Sequence, residues 1–157
     1  MITYTAGDVT KPIIDGQLII AHVVNNLGGW GRGTVLAISE QWPKPERMYR
    51  DWFKSNDKFL LGEVQFVIVS NEISVANMLA QKGFGEDRFQ PDAVESCLNK
   101  VAGQARITNA TIHMPRICCG LGGASWQQIE PLIEKTMNDI QVYIYDYNKD
   151  DSVPWRK

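Results

Sequence analysis

The stretch from Leu18 to Thr34 constrains this chain more than any other. A continuous apolar run, "LIIAHVV", breaks at Asn25-Asn26 and leads into "GGWGRGT", which carries four glycines in seven residues. The run has the length and β-branched content of a buried strand, interrupted only by His22. From Gly33 the pattern "GTVLAISEQWP" has helical length and apolar spacing and stops before Pro43. Strand, glycine loop and helix in that order put a bare backbone at a helix start. A turn alone needs one or two glycines, so four, with Trp30 among them, point to a loop shaped around something.

The same order recurs further on. "ATIHMPRI" predicts a strand, "CGLGGAS" (Cys119 to Ser125) a second glycine loop, and "WQQIEPLIEKTMNDI" a helix with Ile129, Leu132, Ile133 and Met137 on one face. Between the two units, "PERMYRDWFKS" predicts a helix with Pro45 in its first turn. "GEVQFVIVS" and "ISVANMLA" predict two strands joined as a hairpin around Asn71-Glu72. "QKGFGEDRFQ" reads as a surface loop and "PDAVESCLNKVAGQA" as a helix. "QVYIYDY" is the expected last strand, and the polar tail 148–157 an ill-ordered end. Strands alternating with helices, plus one hairpin, predict an α/β domain whose mixed sheet is covered by helices on both faces. Ligands of such sheets gather beyond the carboxyl ends of the strands.

A length of 157 residues fits one domain, 1–157, with enough interior for a good core. The net charge of −2 offers no global attraction for nucleic acid or an anionic membrane, though a local patch such as Lys44, Arg47 and Arg50 remains open. The opening Met1-Ile2-Thr3-Tyr4 has no leader pattern and no apolar run approaches the length of a membrane span, so a cytoplasmic protein without a membrane partner is expected. Three cysteines, Cys97, Cys118 and Cys119, fit neither a disulfide framework nor a zinc spacing and read as reduced core thiols. No metal and no cofactor is expected.

Each glycine loop exposes backbone N–H groups next to a positive helix end, and two such loops suit a diphosphate. The alternative is a pair of tight strand-to-helix turns. Dinucleotide and P-loop fingerprints are excluded: Gly29, Gly31 and Gly33 are spaced G-x-G-x-G, and no G-x-x-x-x-G-K-[ST] is present.

"GDVTK" near the start, "AHVVNN" leading into "GGWGRG", and "MPRICCGLGGASW" before the last helix together resemble the macrodomain family, which binds ADP-ribose. The resemblance runs over residues 2 to 147. It is closest to the branch with the fungal ADP-ribose-1″-phosphate phosphatase, the terminal ADP-ribose protein glycohydrolase and the antitoxin that removes ADP-ribose from DNA. "QWPKPERMYRDW" and "LGEV" fit that branch too. The resemblance implies a three-layer α/β/α domain. It implies that Gly29, Trp30, Gly31 and Gly33 wrap the distal ribose and a phosphate, with Trp30 as a flat wall. Gly120, Leu121, Gly122, Gly123 and Ala124 would cradle the diphosphate.

Residue by residue, the resemblance gives Asp8 the adenine-binding position with the Val9 backbone alongside, and Asn25 the distal ribose. The other reading of Asp8 is a turn cap, and of Asn25 a satisfied strand end. His22 matches a histidine that orients or deprotonates a water at the distal ribose, against a satisfied core residue. Lys82 falls where the hydrolases place a lysine at the anomeric carbon, against a solvated surface lysine. Gly122-Gly123 stand where the lysine-aspartate glycohydrolase has an acidic residue, which argues against that covalent mechanism here. His113 has no match, and Trp126 reads as a helix anchor. The implied activity is hydrolysis at the distal ribose of ADP-ribose-1″-phosphate, or of an ADP-ribosyl group on protein or DNA. The rival is a module that reads ADP-ribose without chemistry.

Overall fold

The computed structural model describes residues 1–146. The predicted strand after the first apolar run is β2 (Leu18–Asn25), preceded by β1 (Ile2–Ala6). Two short helices follow, α1 (Thr34–Gln41) and α2 (Lys44–Ser55), then the hairpin β3 (Val64–Ile68) and β4 (Ile73–Gln81). The chain continues through α3 (Pro91–Thr108), β5 (Thr111–Pro115), a 3₁₀ turn at Gly120–Gly122, α4 (Trp126–Met137) and β6 (Val142–Asp146).

These strands form one sheet in the order β1-β6-β5-β2-β4-β3, parallel except for the antiparallel β3–β4 pair. Alternation along β2 divides the interior. Ile19 and Ala21 join α3 and α4 residues such as Val94, Leu98, Ile129 and Ile133 on one face. Leu18, Ile20 and Val24 join Ile38, Tyr49 and Trp30 on the other. The result is the three-layer α/β/α arrangement, with β2 buried on both sides as its continuous apolar run requires.

One strand was not legible. The edge strand β1 pairs in parallel with β6 from Ile2↔Val142 to Ala6↔Asp146. Tyr4 and Ala6 are exposed, so the segment shows no apolar run for a reader to find. The expected tail 148–157 lies outside the described residues. Among the described residues no helix is long and apolar enough to cross a membrane.

Candidate functional site

The parallel strands present their carboxyl ends on one side, and the segments after β2, β4 and β5 enclose a cleft of about 860 Å³ there. It continues into an inner cavity of about 280 Å³ that shares Val23, Arg32, Val35, Gln81, Gly120 and Leu121 with it.

The first glycine loop is held by the side chain at its start. Asn25 Nδ2 donates to the Gly29 carbonyl (3.0 Å), while Asn25 Oδ1 accepts from the N–H groups of Leu27 (2.9 Å) and Gly29 (3.1 Å). The Tyr49 hydroxyl donates to the Asn25 carbonyl at 2.5 Å. From α2, Arg50 donates to the Gly28 carbonyl (3.1 Å) and pairs with Glu46 (2.9 Å). At Gly33 the backbone takes φ 77°, ψ −141°, a conformation that only glycine adopts readily. α1 starts there with no side-chain cap and no acidic residue in its first turn, so its leading N–H groups face the cavity unneutralised. Arg32 is exposed at this edge and has no hydrogen bond or ion pair among the described residues.

Trp30 lines the cleft although most of it is buried. Its indole is 5% exposed, donates to Ser39 Oγ (2.8 Å), and packs against His22 and Tyr49. It therefore anchors the loop in the core while one part of it lines the cleft. The exposed aromatic at the cleft is Phe84.

In the second loop Cys118, Gly120 and Gly123 all have positive φ, and Ala124 N–H donates to the Cys118 carbonyl (2.9 Å). Gly120, Leu121 and Gly122 border the cavities, whereas Gly123 and Ala124 sit behind them. A Cβ on Gly123 would lie 3.0 Å from the Arg88 guanidinium carbon, so Arg88 occupies the space that glycine leaves. The helix end beside this loop is closed: Ser125 and Gln128 form a capping box at the start of α4. Among the described helices, α1 is the one that starts without a side-chain cap, a capping box or an acidic residue in its first turn.

The segment read as a surface loop, 81–90, is a third wall. Gly83 N–H donates to Asn26 Oδ1 (2.8 Å) and Arg88 Nε to the Leu121 carbonyl (2.8 Å), so it ties both glycine loops together. Phe84 Cζ lies 3.4 Å from the Cβ position of Gly29. Lys82, by contrast, lines neither cavity. It pairs with Asp87 at 2.8 Å, both side chains more than half exposed, and that carboxylate raises the lysine pKa. A lysine nucleophile needs the opposite shift, so the expected role at the anomeric carbon is corrected to a surface ion pair.

His22 belongs to the inner cavity but is 1% exposed. Its Nε2 lies 2.5 Å from Asn77 Oδ1, and burial pushes the imidazole down to about 4, partly offset by that hydrogen bond. It is a neutral ring at physiological pH. His113 is the satisfied core histidine, bonded to Thr111 and Tyr145, both at 2.8 Å. Asp8 and Val9, after β1, line neither cavity. Asp8 Oδ1 accepts from Thr10 N–H (2.9 Å) and Thr10 Oγ1 (2.7 Å), the turn-cap reading, and Val9 is buried in the core. Trp126 anchors α4 through its donation to the Tyr4 hydroxyl (2.9 Å).

The walls carry arginines and no carboxylate: Arg32, Arg50 and Arg88 line the cleft, Arg116 the inner cavity, and no Asp or Glu lines either among the described residues. Arg50 is paired with Glu46 and Arg116 with Asp146, so the uncompensated positive charge at the walls comes from Arg32 and from Arg88, which bonds only main-chain carbonyls. The three cysteines are free thiols; burial raises Cys97 and Cys118 to about 12, which keeps them protonated. No group of three or more His, Cys, Asp or Glu among the described residues is placed to hold a metal ion.

No family model matches the sequence. A solved macrodomain protein from Streptomyces coelicolor is 42% identical, covers 94% of this chain and 100% of its own, and superposes with a TM-score of 0.86. The chain belongs to the macrodomain family. Chromodomain-helicase-DNA-binding protein 1-like from Mus musculus is 30% identical over 161 residues, 92% of this chain; this macrodomain spans only 17% of that relative's length. An ADP-ribose 1″-phosphate phosphatase from Candida albicans is 28% identical over 160 residues, 92% of this chain and 99% of the relative.

Sequence reasoning missed the macrodomain's third wall and its arginines. Arg32 had a signal, a lone charge between Gly31 and Gly33. Arg50 was noted only as part of a basic patch, and Arg88 and Phe84 had no signal, because each reaches the cleft from a segment whose place relative to the glycine loops is set by the fold.

Proposed function

We propose that this macrodomain binds ADP-ribose in the cleft and hydrolyses ADP-ribose 1″-phosphate to ADP-ribose and inorganic phosphate. The observation that carries the reading is the uncapped start of α1 at Gly33. It stands beside unpaired Arg32, opposite the Gly120–Gly122 turn, in a cleft with no carboxylate. Backbone N–H groups and guanidinium charge without a competing anion suit a diphosphate. A volume of about 860 Å³ suits a ligand of nucleotide-sugar size. Relatives named ADP-ribose 1″-phosphate phosphatase, matched over nearly their whole length, support the ester.

In this reading Gly29, Gly31 and Gly33 let the backbone approach the distal ribose and one phosphate, while Gly120, Leu121 and Gly122 take the other. Asn25 keeps the first loop in shape, and His22 orients the water. Asp8 and Val9 would meet the adenine end.

A second reading is favoured by the burial of His22 and the carboxylate-free walls: a module that binds ADP-ribose without chemistry. An ADP-ribosyl hydrolase acting on protein or DNA shares the cleft, but the surface pairing of Lys82 removes one support for the DNA reading. Phosphate release from ADP-ribose 1″-phosphate under multiple turnover, with ADP-ribose binding measured by calorimetry, separates them. Turnover by the parent, and weaker ADP-ribose binding in Arg32→Ala, would support the phosphatase. Tight binding without phosphate release would leave the reader.

A further inference from the structure

His22 Nδ1 is the one buried side-chain nitrogen or oxygen among the described residues that has no hydrogen-bond partner. Buried polar atoms are nearly always paired, so this exception needs a reason. The other ring nitrogen supplies it. Asn77, fully buried on β4, sits opposite His22 in register. Asn77 Nδ2 donates to the Pro45 carbonyl (3.2 Å) and to Gln65 Oε1 (3.0 Å). Gln65 Nε2 in turn donates to the Met48 carbonyl (2.9 Å). A main-chain carbonyl can only accept, so the amide of Asn77 cannot be turned over, and its oxygen must face His22. Two lone pairs at 2.5 Å would repel; His22 Nε2 therefore carries the proton and Nδ1 is bare.

We infer that Asn77 is a positioning residue that locks His22 in the Nε2–H form, so that Nδ1 serves the inner cavity as a fixed acceptor for an O–H donor of the bound ligand. The role as water orienter rests on the proposed phosphatase reading; the tautomer does not. His22 lines the inner cavity although Nδ1 itself has almost no exposed surface; a bare ring nitrogen there can accept from a hydroxyl or a water but not from a phosphate oxygen, which brings no hydrogen. The anionic groups are left to Arg32 and the glycine loops. The lock runs from the buried His22–Asn77 pair through β3 to α2, where Gln65 and Met48 are half-buried.

The test is nitrogen NMR of protein carrying ¹⁵N-labelled histidine, with His113→Gln used to assign the two rings. The parent should show Nε2 protonated and Nδ1 bare at His22, and the Nδ1 signal should move on saturation with ADP-ribose. A proton on Nδ1 in the parent, or an Nδ1 signal indifferent to bound ADP-ribose, would overturn the inference. Asn77→Leu should populate both tautomers and lower kcat about tenfold or more while ADP-ribose affinity stays within about twofold. Unchanged tautomer and turnover in that variant would also overturn it. Gln65→Met, which removes one of the two amide anchors, should move the tautomer in the same direction by less, and serves if Asn77→Leu does not fold. Absence of phosphate release from the parent sinks the phosphatase reading alone, because the parent spectrum decides the tautomer without turnover.

Discussion

Asn25 grips Gly29 from both sides, its Nδ2 donating to the Gly29 carbonyl at 3.0 Å and its Oδ1 accepting the Gly29 N–H at 3.1 Å. One side chain thus closes the first glycine loop as a small ring, and the Tyr49 hydroxyl fixes the residue that does so. Asn25→Ala should open that ring. We expect ADP-ribose affinity to fall about tenfold or more and stability by about 1–3 kcal/mol, read by calorimetry and urea unfolding. Full affinity in the variant would show that the loop holds its shape without the clamp.

Two neighbouring glycines should differ sharply. Gly33 sits at φ 77°, whereas Gly31 has ordinary backbone angles and open space where a Cβ would go. Gly33→Ala should cost about 1–3 kcal/mol and weaken ADP-ribose binding, while Gly31→Ala stays close to the parent in stability. Equal unfolding midpoints for the two variants would contradict the backbone argument.

Lys82→Met separates the surface ion pair from a nucleophile. Because Lys82 and Asp87 are both more than half exposed, the pair contributes little, and the variant should keep the parent's stability and turnover. A turnover loss of about a hundredfold would restore the lysine to the chemistry.

Both buried histidines make the fold sensitive to acid. Burial lowers His22 and His113 from the ordinary 6.5 to about 4 in the folded state. Between those values the unfolded chain binds more protons, so stability is full above about pH 6.5 and declines as pH falls toward 4. The urea midpoint at pH 5 should lie well below that at pH 7, and His113→Gln should reduce the slope. A flat midpoint over that range would mean that the rings charge freely in the folded protein.

Phe84 is 64% exposed at the cleft, so Phe84→Ala should leave stability nearly unchanged. It should still weaken ADP-ribose binding severalfold, because the ring covers the first loop at Gly29. Unaltered affinity would make the third wall a spacer only.

Most of the architecture was legible because local patterns carried it. The apolar run at Leu18–Val24, the helical spacing around Ile129 and Ile133, and the hairpin at Asn71-Glu72 each announce an element from a few adjacent residues. The edge strand β1 was not, since half-exposed edge residues need no apolar alternation. Of the residues singled out in the sequence, Asn25, Gly29, Gly31, Gly120 and Leu121 line the cleft. Trp30 lines the cleft from a mostly buried position, and Lys82 takes the second of its two readings, a surface ion pair. A residue type and its spacing do not say whether a side chain turns into the core, as Trp30 does, or out to a carboxylate, as Lys82 does.

By itself the sequence determined where the backbone had to be bare and which segments had to be buried, because glycine conformations and apolar periodicity are local properties of a chain. Only the tertiary structure decided the electrostatics. Arg32 and Arg88 come from segments after β2 and β4 to face one cleft, while Arg50 and Arg116 reach its surroundings already paired with Glu46 and Asp146. Asn77, 55 residues from His22, fixes where one proton sits. Charge and hydrogen-bond geometry depend on distances across the fold, which no stretch of sequence contains.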